Sequence, residues 1–415
     1  MKGARIALVI DRLAGRAGGA ERVLIRTANA LAGRGHLVEI ITHERPRDPP
    51  PWPLAPGVML TRLRPARPVW PRQLDRLRGP LERQGHRLPG LEGLAWTSRH
   101  AAFWRRLARY LDAARPDAAA AFLPPAITAL GLATQQLRAR GVVIPALAST
   151  HNAPEQDYEN PARWGPGALD RARRLAALDH FDRIAVLLED YRDWFAPGLR
   201  PRLMVLPNAV EPAPPEARAR TETARRVVAA GRLAPVKRHD LLIAAFVRIA
   251  PDLPAWRLDI HGEGPLREAL AAQITAAGLQ DRITLHGRTT DMGAVWRDAA
   301  LMAHPAAHEG FPLAVTEALA HGLPVIGFAD CSGTNALVQD GKTGLLIPAA
   351  AGSPDTARIT ALAEGLARLM SDSAWRAQLG AAGPTAMARF APETSTAAWE
   401  AALLGAPPPN PAPPD

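Results

Sequence analysis

The sequence predicts an α/β fold of two doubly wound, Rossmann-like domains. Three observations carry this. The chain has 415 residues, too many for one ordinary domain at roughly 100–200 residues each. Short apolar runs alternate with helical patterns along most of its length, the mark of parallel sheets covered by helices. The alternation also starts afresh after the proline-rich stretch Pro207 to Pro215, which reads as a linker.

In order along the chain, Ile6 to Ile10 is a continuous apolar run bounded by charge, as expected of a strand buried on both faces. Gly18-Gly19-Ala20-Glu21 follows, then a helical pattern from Arg22 to Gly33 with apolar residues three and four apart. His36 to Thr42 is the next strand, which completes a βαβ unit. From about 46 to 93 the chain is rich in Pro and Arg and reads as an insertion, with a helix over Gln73 to Arg83. Further strands are expected at Ala118–Phe122, Val142–Ser149, Arg183–Leu188 and Leu203–Leu206.

The second series has strands at Arg226–Ala230, Trp256–Ile260, Arg282–Leu285, Leu301–Ala303 and Pro324–Gly327. Helices are expected at His239–Ile249, Leu266–Ala277 and Leu313–Ala320, and over Glu364 to Trp399. The expected domains are therefore 1–206, 207–385 and a C-terminal helix at 386–404, followed by a disordered Pro-rich tail at 405–415.

Composition narrows the chemistry. The net charge of +10 favours anionic partners. Between Arg62 and Arg115 lie Arg64, Arg67, Arg72, Arg76, Arg78, Arg83, Arg87, Arg99, Arg105, Arg106 and Arg109, opposed by Asp75, Glu82, Glu92 and Asp112. Such a face is either plain solvated surface or a contact for an anionic membrane. No helix-turn-helix or aromatic-interleaved motif points to nucleic acid, and none is expected as a partner. The single cysteine, Cys331, rules out an internal disulfide and a cysteine metal cluster and suits a reducing cytoplasm. His304 and His308 lack metal-site spacing, and no Asp-x-Asp motif appears. The N-terminal apolar run is too short to span a membrane, and no signal-peptide cleavage pattern follows it.

The chemistry concentrates in His308-Glu309-Gly310-Phe311-Pro312-Leu313, with Glu317 one helical turn further on. Glu309 stands between a strand and a helix, Gly310 and Pro312 shape the turn, and the helix opens near Leu313, so its unpaired N–H groups can meet a phosphate. A carboxylate can accept two hydroxyl hydrogen bonds, which suits a sugar or a ribose. Gly231-Arg232-Leu233-Ala234-Pro235-Val236-Lys237 follows a strand at the edge where α/β sheets bind ligands. Arg grips a diphosphate through paired hydrogen bonds, while Lys adds a point charge.

These two stretches resemble glycosyltransferase family 4, the retaining enzymes of the GT-B fold. The resemblance implies two domains facing each other across a cleft, the second holding a nucleotide-diphosphate sugar and the first a glycan or lipid-linked acceptor. It implies donor-sugar contact by Glu309, ribose binding by Glu317, and stabilisation of the leaving diphosphate by Arg232 and Lys237. Gly18 and Gly19 are carried over to the loop near the donor phosphate, and His151 in Ser149-Thr150-His151-Asn152 to a place near the reacting carbon. Asn208 and Gly262 match supporting segments, and Gly310, Phe311, Pro312 and Leu313 belong to the donor motif.

Two departures stand out: Arg238 where the family often has Gly, and no Glu near Ala336. The implied activity is retaining, metal-independent transfer without a cofactor, in the cytoplasm or on the inner face of the membrane, serving bacterial surface or lipid-linked glycan synthesis. A nucleotide-sugar epimerase or hydrolase on the same fold, or a non-catalytic nucleotide-sugar-binding protein, remains open at this point.

Overall fold

The computed structural model describes residues 3–15, 18–45, 49–64, 90–161, 163–165, 167–349 and 352–405. The expected helix at Gln73–Arg83, the arginines from Arg67 to Arg87 and the tail from 406 onward lie outside the described residues. The chain divides into two compact units. One comprises Met1–Asn208 and the last helix, and the other Ala209–Pro392.

The first unit is a parallel sheet of seven strands, β1 (Arg5–Ile10), β2 (Leu37–Thr42), β3 (Val58–Arg62), β4 (Ala118–Phe122), β5 (Ala146–Ser149), β6 (Arg183–Val186) and β7 (Leu203–Val205), in the order β3-β2-β1-β4-β5-β6-β7. Its principal helices are α1 (Gly19–Gly33), α2 (Glu92–Ala114), α3 (Leu123–Arg138), the short α4 (Pro154–Tyr158) and α5 (Ala168–Ala177). Helices on the faces explain why β1 and β4 read as unbroken apolar runs, with Leu8, Val9 and Ala118 to Phe122 essentially without exposure.

Three local readings need correction. Val58–Arg62, assigned to the insertion, is an edge strand in parallel register with β2, from Val38 opposite Val58 to Thr42 opposite Arg62. None of its five residues is fully buried, an edge pattern that the surrounding Pro and Arg hide. β5 starts at Ala146 rather than Val142, because Pro145 has no N–H for the ladder. α1 takes in Gly19, so Gly18 is its N-cap rather than the middle of a loop.

The second unit is a parallel sheet of six strands, β8 (Arg226–Ala230), β9 (Arg257–His261), β10 (Ile283–Gly287), β11 (Leu301–His304), β12 (Val325–Phe328) and β13 (Gly344–Ile347), ordered β10-β9-β8-β11-β12-β13. The helices are α6 (His239–Ile249), α7 (Arg267–Ala276), α8 (Met292–Arg297), α9 (Leu313–Ala320), α10 (Ser332–Asn335), α11 (Asp355–Ser371) and α12 (Ser373–Met387). The core gathers Leu242, Phe246, Leu258, Ile260, Leu301, Ile326, Leu362 and Leu366 from strands and helices alike. The last helix, α13 (Pro392–Leu404), belongs to the first unit.

Strand order locates the candidate site. β1 lies between β2 and β4, and β8 between β9 and β11. Connections therefore leave in opposite directions at β1/β4 and at β8/β11, and in open α/β sheets ligands bind beyond the carboxyl ends at such switch points.

Candidate active site

In the second unit the switch point brings two predicted segments together. The loop after β8 carries Gly231, Arg232 and Lys237, and the loop after β11 carries Glu309. Lys237 Nζ is ion-paired with Glu309 Oε1. His304, the last residue of β11, is buried with its Nε2 3.6 Å from the same Glu309 oxygen. Burial pushes the Glu309 carboxyl upward, but the Lys237 ammonium and His304 outweigh it and hold the group at about 2. His239, at the start of α6, is pulled down to about 4 by burial and by Lys237 and His304. His304 is likewise lowered, chiefly by burial. The centre is thus a carboxylate and an ammonium flanked by neutral imidazoles.

Backbone close approach shapes the floor. Gly231 N–H donates to the His261 carbonyl at 2.9 Å and Gly262 N–H to the Gly287 carbonyl at 2.7 Å. Gly262 has φ +147°, and a Cβ there would stand 1.8 Å from the Gly231 oxygen, so only glycine lets the two strand ends meet. Arg238 adopts the left-handed conformation, φ 48°. Its guanidinium is tied to Asp240 at 3.1 Å and Asp355 at 2.6 Å. This accounts for the departure seen in the sequence: the position favours glycine, and here two carboxylates hold an arginine in it.

Arg232 is exposed, and its side chain has no partner among the described residues. Gly310, Phe311 and Pro312 are buried, and Phe311 meets Phe390 edge-on at 5.3 Å. Pro312 is the N-cap of α9, which opens at Leu313 and places the half-buried Glu317 one turn in. Ser332 Oγ donates to the Glu309 carbonyl at 3.3 Å. A Cβ on Gly333 would stand 2.7 Å from that oxygen. The segment that lacks the expected glutamate therefore packs on the backbone of Glu309. Among the described residues, no group of three or more His, Cys, Asp or Glu side chains is placed to hold a metal ion.

Gly18, Gly19, His151 and Asn208 belong to the first unit. Gly18 caps α1, with the carboxylate of the buried Glu21 folded back over it, 2.4 Å from where a Cβ would be. The start of the loop after β1 is fixed by Glu44, whose Oε2 accepts from Leu13 N–H at 3.1 Å and Ala14 N–H at 3.0 Å. His151 lies just past the end of β5, its Nε2 3.0 Å from Ser149 Oγ and its ring stacked on Phe122 at 4.9 Å. Burial lowers its pKa to about 3, so the ring is neutral at ordinary pH. Asn208 is buried in the segment after β7.

Sequence reading missed His304, His239, Glu44 and Trp399. His304 was legible as the residue that closes a buried strand beside the glutamate loop. His239 stands two residues after Lys237 in the same segment, whereas Glu44 and Trp399 meet neighbours distant in sequence and gave no local signal.

Comparison with known proteins bears on family and fold. The family model described as Glycosyltransferase Family 4 matches residues 17–214, and that described as Glycosyl transferases group 1 matches 213–386. An exopolysaccharide phosphotransferase of Streptomyces coelicolor is 34% identical over 224 residues, 53% of this chain but 23% of that protein. The chain thus spans well under half the length of that relative. Sucrose-phosphate synthase from Thermosynechococcus elongatus superposes with a TM-score of 0.71 at 22% identity, covering 95% of this chain and 96% of the other. Anabaena HepE in complex with UDP-glucose gives 0.65 at 18% identity, covering 95% and 97%. Both likenesses are likenesses of fold. With its two halves matched by consecutive family models and its sheets folded as those enzymes are, the chain belongs to the family 4 glycosyltransferases, transferases of the two-domain GT-B fold.

Proposed function

We propose that the chain is a retaining transferase that moves a sugar from a nucleotide-diphosphate donor to an acceptor hydroxyl, in bacterial surface-glycan or lipid-linked glycan synthesis. The observation that carries this reading is the Lys237–Glu309 pair at the β8/β11 switch point, with the exposed Arg232 in the same loop as Lys237 and the opening of α9 after Glu309. Cationic groups and helix N–H groups at one strand edge suit a diphosphate, and a carboxylate held ionised suits sugar hydroxyls.

In this reading the acceptor oxygen attacks the anomeric carbon as the bond to the diphosphate oxygen breaks, and the hydroxyl proton passes to the departing phosphate. Attack on the face the diphosphate leaves retains the configuration. Arg232 and Lys237 stabilise the growing negative charge, Glu309 holds the donor sugar and Glu317 the ribose. Gly18, Gly19 and Asn208 support the donor, and the neutral His151 meets the sugar or the acceptor. With two cations available for the diphosphate, transfer proceeds without a metal.

The reading draws support from Anabaena HepE, whose structure is a complex with UDP-glucose, and from the Streptomyces relative, whose name refers to exopolysaccharide. No helix among the described residues is long and apolar enough to cross a membrane. We place the enzyme in the cytoplasm, touching the inner face of the membrane through basic residues such as the exposed Arg105 and Arg109 of α2; absence of binding to anionic liposomes would remove that part.

The test is incubation with candidate nucleotide sugars and acceptors, in buffer and in EDTA, with the anomeric configuration of the product read by NMR. A product of retained configuration formed equally in EDTA is expected. Donor breakdown without acceptor would point to a hydrolase instead, and an inverted product would end the retaining assignment.

A further inference from the structure

Three rings lie in one stack in the first unit. His151 is stacked on Phe122 at 4.9 Å and 11°, and Phe122 on Trp399 at 5.3 Å and 5°. They come from three separate elements: the loop after β5, the carboxyl end of β4, and α13, about 250 residues further along the chain. Phe122 has no exposure and Trp399 is 2% exposed. Phe122 is thus stacked with both of the other rings.

α13 is pinned close to Trp399. Glu400 meets Arg34 Nε at 2.9 Å and His36 Nε2 at 3.0 Å. Arg183 Nη1 donates to the carbonyls of Ala401 at 2.7 Å and Ala402 at 2.6 Å, and so engages the carbonyl end of the helix's last turn. Ser395 Oγ donates to the Pro207 carbonyl at 3.4 Å. These bonds fix the indole against Phe122. Among the described residues His151 itself has one side-chain hydrogen bond, to Ser149, and its Nδ1 has no partner. The ring plane is therefore set more by stacking than by hydrogen bonding, and parallel aromatic packing depends on ring geometry as well as on buried area.

We infer that Trp399 is a positioning residue for His151, acting through Phe122, so that the C-terminal helix braces the acceptor-side histidine. The inference rests on the reading of His151 as a group near the reacting carbon. Placement of a reacting group matters steeply, since about 1 Å of displacement costs on the order of a hundredfold in rate.

The decisive comparison is Trp399→Phe against Trp399→Leu in the full chain. Both remove the indole and keep an apolar side chain, but only phenylalanine can stack. The His151 ring signal, assigned by its loss in His151→Gln, is followed by proton–carbon NMR beside kcat and the melting-temperature shift given by a nucleoside diphosphate. The expected result has three parts. In Trp399→Leu the His151 signal moves and kcat falls about tenfold or more. In Trp399→Phe both stay near wild type. The nucleotide-induced shift is unchanged in both.

Equal behaviour of the two variants, or a His151 signal unmoved in Trp399→Leu, overturns the inference. Should His151→Gln transfer sugar normally while Trp399→Leu still displaces the signal, the brace stands and the reading of His151 falls. The two failures are thus distinguishable.

Discussion

Lys237 and Glu309 are 72 residues apart in the chain and form an ion pair across the β8/β11 switch point, with their side chains 19% and 17% exposed. A pair so enclosed ties two loops into one unit and leaves each charge dependent on the other. Removing one partner of a buried pair strands the other and costs about 3–5 kcal/mol, and partial exposure here lowers that to about 1–3 kcal/mol. Glu309→Gln should therefore lower the unfolding free energy, as read by denaturant titration, as well as turnover.

The same pair sets an acid limit. Glu309 titrates near 2 in the folded protein against an ordinary value of 4.5. Its contribution is complete above about pH 4.5 and is lost as the pH falls toward 2. Stability of the native chain should therefore fall more steeply than that of Glu309→Gln across this window, and parallel curves would contradict the pairing.

His239 and His151 make a second pH window. Their folded values, about 4 and about 3, lie below the ordinary 6.5. The unfolded chain takes up these protons first, so stability is full above about 6.5 and declines as the pH drops below it. His239→Asn should flatten the decline between pH 6.5 and 4, measured by unfolding at each pH.

Arg232 is expected to behave differently from Glu309. An exposed side chain with no partner among the described residues contributes about 0.5 kcal/mol or less to folding. Arg232→Ala should leave the melting temperature of the free protein unchanged while turnover drops by about 10²–10³-fold, the scale of losing one preorganised charge-stabilising group. A large loss of stability would assign Arg232 a structural role.

Gly262 tests the floor. A Cβ there collides with backbone, and its φ of +147° is strained for other residues. Gly262→Ala should destabilise the second unit by about 1–3 kcal/mol or more and weaken nucleotide binding. Gly33→Ala, where a Cβ meets nothing within 4 Å, should do neither.

Much of this fold was readable because buried parallel strands carry their signature locally. β4, β8, α6 and α9 fall where periodicity and apolar runs put them. β3 did not, since an edge strand buries too little to stand out among prolines and arginines. In the site, Lys237 and Glu309 were visible as loop residues after strands, but their pairing needed the sheet order, which a single sequence does not display. Arg238 stood out only as a departure from the family's glycine, and its backbone angle and two carboxylate partners show why it is tolerated. Trp399 could not be tied to His151 without the fold, because nothing in either segment refers to the other.

Donor binding by the second unit through Arg232 and Lys237 is read from the melting temperature of the protein with UDP, GDP, ADP and their sugars, for the native chain and for Arg232→Ala, without metal. A ligand that binds only the folded state raises that temperature by mass action. The expected result is a clear rise with one nucleotide family that is lost in Arg232→Ala. No rise with any of them, or the same rise in the variant, would contradict the account.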